Sequence, residues 1–173
     1  MNKTIVLETL SWQYSLTWRL AEYTLQDLTD EECLWEPTKN SWNVRKDAEG
    51  RWVPDWIVPE PVPIPTTSIA WVTWHIMWWW SSASAVLRGD QKLEHNEVFW
   101  PGSASRIAEV LQQLNTEWLS QLEKMTEEKL DTLVAHPWSE PRPLRIMIAW
   151  VNSELMKNVS EIGYVRHLWG NRE

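Results

Sequence analysis

One histidine and two polar residues in this chain are spaced so that they can meet. His75 lies within Trp71-Val72-Thr73-Trp74-His75-Ile76-Met77-Trp78-Trp79-Trp80, a stretch that holds five of the sixteen tryptophans. Glu154 and Asn158 stand four residues apart among Met147, Val151, Ile162 and Val165. On a helix, residues four apart share a face, so Glu154 and Asn158 can converge on one point. Polar side chains inside an apolar stripe contradict the local pattern, and such contradictions tend to mark function. An imidazole and a carboxylate are good ligands for Zn, Ni or Fe, whereas an amide oxygen is a poor one. Two chemistries are open to the set. One is a divalent metal with bound waters; the other is a metal-free cluster in which His75 pairs with Glu154 and Asn158 satisfies what remains.

The elements that must position these residues are helices. Leu7, Leu10, Tyr14, Thr17, Ala21 and Leu25 recur at helical spacing and predict a first helix over 3–28. Thr29-Asp30-Glu31-Glu32 offers an N-cap and an acidic first turn for a short helical segment that Pro37 stops. A second helix, carrying His75, starts at Thr66 or Thr67 and ends at Gly89. Ser103 caps a third, whose inward face is Ile107, Val110 or Leu111, Leu114, Trp118, Leu122 and Met125. After a short turn opened by Thr126 and an irregular stretch over 131–143, a fourth spans 144–168 and carries Glu154 and Asn158. These predict an all-α four-helix bundle, a single domain over 1–173, with a long crossover between helices one and two.

That crossover, 38–65, is rich in proline and tryptophan. Pro59-Glu60-Pro61-Val62-Pro63-Ile64-Pro65 should run extended. Asp47-Ala48-Glu49-Gly50 reads as a turn between two short hairpin arms. Trp42, Trp52 and Trp56 argue for an ordered segment packed across one mouth of the bundle. Because five tryptophans on one helix cannot share one stripe, at least one of Trp71 to Trp80 should meet this loop or a partner chain.

Charge narrows the function classes. A net charge of −8 and a pI near 5.1 argue against nucleic acid, which needs clustered Lys and Arg, and against anionic membrane surfaces. No run approaches the roughly 20 apolar residues of a spanning helix, and the start of the chain does not read as a signal peptide. The lone Cys33 cannot form an internal disulfide, which suits a cytoplasmic location. Its acidic neighbours disfavour a thiolate, so a nucleophilic role is not expected. Among the other histidines, His95 in an acidic linker is expected to face solvent. His136 lies in the irregular stretch, and His167 suits the end of the fourth helix.

Several segments, in order, resemble the DinB/YfiT-like superfamily of metal-dependent enzymes. They are Leu28-Thr29-Asp30-Glu31-Glu32 with Trp35 and Pro37; Trp42-Asn43-Val44-Arg45; Gly50-Arg51-Trp52; Pro59-Glu60-Pro61 leading to Ser68-Ile69-Ala70-Trp71 and Trp74-His75; Trp150 to Lys157; and Glu161-Ile162-Gly163. The resemblance implies a metal held by one residue on helix two and an i,i+4 pair on helix four, hence His75, Glu154 and Asn158. Glu154 fits the branch similar to mycothiol-dependent maleylpyruvate isomerase, whereas Asn158 stands where a histidine is expected. It also implies a metal that activates a low-molecular-weight thiol for transfer or isomerisation of a small-molecule substrate. The other reading is a non-catalytic, metal-free bundle that binds an apolar ligand or a partner protein through a Trp-lined cleft. A homodimer is compatible with either and specified by neither.

Overall fold

The computed structural model describes residues 5–172. Four long helices carry the fold: α1 (Ile5–Leu25), α3 (Ile69–Arg88), α4 (Ala104–Glu123) and α6 (Leu144–Gly170), with short α2 (Asp30–Leu34) and α5 (Glu127–Leu130) between them. The long helices touch in a ring, α1 against α6, α6 against α3, α3 against α4 and α4 against α1. Their apolar stripes meet inside it. Leu7, Leu10, Tyr14 and Ala21 of α1 are buried, as are Ile107, Leu111, Leu114, Trp118 and Leu122 of α4. Asn158 is buried within the α6 stripe, while Glu154 lies half-buried at its edge. The chain is mostly helical, as the periodicity predicts. No helix among the described residues is long and apolar enough to cross a membrane.

Local sequence explains most helix starts. Thr29 and Glu32 form a reciprocal capping box at α2, each side chain bonded to the other's backbone N–H. Ser103 and Thr126 cap α4 and α5 as expected. The start of α3 differs. Thr66–Thr67 form a strand, β4, and Ser68 caps the helix by accepting from the Trp71 N–H at 3.1 Å. Gly89 ends α3 in the left-handed conformation, φ 87°, with its N–H on the carbonyls of Ala85 and Val86.

Three two-stranded pairs amend the all-α expectation. β1 (Ser41–Trp42) runs parallel to β4 (Thr66–Thr67). β2 (Val44–Lys46) and β3 (Trp52–Pro54) form the antiparallel hairpin whose turn is Asp47–Gly50. β5 (Leu133–Val134) pairs with β6 (Arg142–Pro143), so 131–143 is less irregular than its prolines suggest. Backbone pairing of this kind joins residues far apart in sequence, which helical periodicity does not report.

The 38–65 segment is held down on α3 by tryptophan. The Trp56 ring stacks on Trp42 and Trp71 and meets Trp74 and Trp78 edge-on, with centroids 5.4–6.3 Å apart. Trp71 donates its indole N–H to the Asp55 carbonyl at 2.8 Å. Asn43 is the buried polar peg of the segment: its amide donates to the Leu34 carbonyl, and its oxygen accepts from Ser68 Oγ at 2.6 Å. At the far end, Arg166 of α6 bonds Glu32 and the carbonyls of Thr24 and Gln26, closing the α1–α2 corner onto the last helix.

Candidate functional site

His75 projects from the flank of α3 with Trp71 one turn earlier stacked on its ring, centroids 5.2 Å apart and planes 15° apart. Trp74 and Trp78 flank it at steeper angles. Its Nδ1 is buried without a hydrogen-bond partner. Burial, and next the Lys157 charge, push its pKa down from 6.5 to about 4, with Asn158 pulling the other way. The imidazole is therefore neutral at neutral pH.

Helix α6 brings the other two predicted residues to the same region. Asn158 accepts the Trp79 indole N–H on Oδ1 at 3.0 Å and donates its amide to Glu161 Oε2 at 2.8 Å. Glu154 does not pair with His75 as the metal-free cluster anticipates. Its carboxylate instead accepts from Lys157 one turn on. The reason is reach: i,i+3 partners on one helix need no help from packing, and Lys157 is solvent-exposed and free to turn.

His75 and Glu154 line one cavity of about 290 Å³. Indoles wall it: Trp78 and Trp79 from α3 and Trp150 from α6, with Trp79 and Trp150 edge-on at 5.4 Å. Trp78 is tied to the 89–103 connection by an N–H bond to the Leu93 carbonyl, at 2.9 Å. A larger cavity of about 360 Å³ lies elsewhere, but its charged lining, Arg88, Lys124 and Lys129, is exposed and it contains none of the singled-out residues.

A second histidine enters the wall. His136 is 7% exposed, meets Trp150 edge-on at 5.6 Å, and carries a buried Nε2 with no partner. Burial, then the charge of Lys92, hold its pKa below the ordinary value. Nothing periodic in the sequence reaches His136; it arrives on the β5–β6 excursion, which only tertiary packing places. Lys92, in the connection between α3 and α4, is placed by packing in the same way. His95 is a correction in the other direction: instead of facing solvent it is half-buried and stacks on Trp56 at 5.3 Å. His167 is exposed in the last turn of α6. The Cys33 thiol is buried, and burial with Asp30 and Glu32 pushes its pKa up to about 12, which leaves it unreactive.

The metal that the sequence resemblance implies can be tested against this donor set. Among the described residues no three His, Cys, Asp or Glu side chains form a group that could hold a metal ion. The third position is Asn158, and both ends of its amide are engaged. Lys157 adds a positive charge beside His75 and Glu154, where a divalent cation would sit. The residues present do not fit a resident metal held in that way.

Among solved structures, a conserved protein of Enterococcus faecalis matches with a TM-score of 0.66 over 96% of this chain and 98% of its own, at 13% identity. That likeness concerns the fold. No curated protein matches. A family model described as the DinB superfamily matches residues 13–162, which takes in α2 to α5, most of α1 and α6, and every residue of the candidate site. The chain belongs to the DinB superfamily.

Proposed function

We propose that this DinB-superfamily chain works without a resident metal, as a binding protein whose Trp-walled cavity takes a small, planar, largely apolar molecule. The carrying observation is the cavity itself, walled by Trp78, Trp79 and Trp150 with a neutral His75 among them. Indole faces and edges offer large apolar area at low conformational cost and favour aromatic guests by offset or edge-on contact. A neutral imidazole can accept or donate one hydrogen bond and so orient such a guest without demanding charge. With Glu154 held by Lys157 and Asn158 held by Trp79 and Glu161, only His75 of the three keeps an unpartnered nitrogen.

Calorimetric titration of untagged protein with 2-naphthol tests the reading. Saturable one-to-one binding is expected, and Trp150→Ala should weaken it by about tenfold or more, the loss of one good aromatic contact. Trp12→Ala, on the exposed side of α1, should leave it unchanged. Elemental analysis of the same protein addresses the metal. Stoichiometric Zn, Ni or Fe that disappears in His75→Ala would overturn the metal-free half of the proposal. Asn158→His supplies the missing imidazole, so it should create zinc affinity that the parent chain lacks.

A further inference from the structure

The polar groups around the two histidines of the cavity differ in how they are matched. Resting on the binding role proposed above, we infer that the guest is an aromatic carboxylate, its acid group seated against Lys92 and His136. Beside His75, Glu154 and Lys157 neutralise one another and Asn158 is satisfied on both sides. The His75 Nδ1 is unmatched, but the Glu154 carboxylate in the same wall disfavours an acid there. Beside His136, Lys92 has Glu94 as its acidic neighbour at 3.7 Å, beyond hydrogen-bond length. Lys92 alone, with its side chain 59% exposed, would be an ordinary solvated charge. His136 makes the difference: it is buried, lines the same wall, and holds a nitrogen without a partner. Lys92 lies near enough for its charge to act on that ring.

A carboxylate suits both groups. It accepts a charge-assisted bond from the ammonium and an ordinary one from a neutral imidazole N–H. Ser82 does not compete, since its hydroxyl is taken up by the Leu93 backbone on both sides. The ring system of the guest is left to Trp78 and Trp150. Size agrees with one or two fused rings: a dry cavity of roughly 150 Å³ holds benzene, and this one is about 290 Å³.

The experiment compares 2-naphthoate with its uncharged counterpart 2-naphthol by calorimetry at pH 7.5. Naphthoate is expected to bind about tenfold tighter, an advantage that added salt erodes. Lys92→Met and His136→Gln should each remove most of that advantage, read as the ratio of naphthoate to naphthol affinity within each variant, so that a general change in the cavity wall cancels. Equal affinities for the two probes, or a preference that survives both substitutions, overturn the inference while leaving the binding role intact. If neither probe binds, the binding role falls and the inference falls with it.

Discussion

Two tryptophan-rich regions share helix α3 and differ in one respect. Under the 38–65 segment, indole N–H groups are spent: Trp71 on Asp55, Trp74 on the Val98 carbonyl, and, on α3's other neighbours, Trp100 on Thr73 Oγ1. Around the cavity, Trp79 is also spent, but two imidazole nitrogens of His75 and His136 are not. The first region is a finished interior in which Trp71 and Trp74 are both packed against Trp56 and hydrogen-bonded. The second is aromatic to the same degree and polar without being complete. Buried polar atoms left unmatched cost stability, so their retention beside a void points to a partner from outside. Neither tryptophan content nor an unpaired atom alone separates a core from a site, since Trp80 and Trp118 keep buried, unpartnered indole N–H groups in the interior; unpaired atoms that line a cavity do.

Breaking the contrast starts with the largest effect. Trp74 is fully buried and bonded in the finished region, so Trp74→Ala should cost about 3–5 kcal/mol in urea unfolding. Trp150, half-buried at the cavity, should cost clearly less. Equal losses at the two positions would erase the distinction between a packed interior and a ligand wall.

The next effect is a pH dependence. The folded His75 ring titrates at about 4 and an ordinary histidine at 6.5, so the unfolded chain takes up this proton first as pH falls. Stability that depends on the neutral ring is whole above pH 6.5, declines between 6.5 and 4, and then levels off. The loss should be on the order of 3 kcal/mol across that window. His75→Gln should flatten the corresponding part of a stability-against-pH curve, and an unchanged slope would show that the ring is not desolvated when folded.

The smallest effect sharpens the comparison from the other side. Arg45 reaches Glu36 at 2.8 Å and Asp55 at 3.0 Å, but it is more than half exposed. Arg45→Ala should therefore cost less than about 1 kcal/mol by the same unfolding measurement. The 38–65 segment would then be held mainly by Trp56 and Asn43, and a larger loss would return that role to charge.

What could be read ahead of the structure follows from the range of each signal. Caps at Thr29, Ser103 and Thr126 act over three residues, and the stripes of α1, α4 and α6 over seven or eight, so both are written locally. The proximity of His75 to Asn158 was legible because each lies on a long, periodic helix. The Lys157–Glu154 pair is legible by the same rule, since residues three apart on a helix are neighbours. His136, Lys92 and the β1–β4 pairing belong to connections whose course is decided by what they pack against, and no spacing within them records it. His95 failed similarly: its acidic neighbours describe solvent, while Trp56 on another segment decides its stacking.

The parallel pairing of Ser41–Trp42 with Thr66–Thr67 has an evolutionary consequence. It cinches the excursion at its neck, so the ends are fixed whatever lies between them. The entropy of closing a loop grows only slowly with length, about 0.6 kcal/mol per doubling. The exposed Asp47–Gly50 tip can therefore lengthen, shorten or accept a grafted segment while Trp56 stays seated on α3 and the helices keep their register. In this architecture the hairpin tip is the place where relatives can diverge without redesigning the interior.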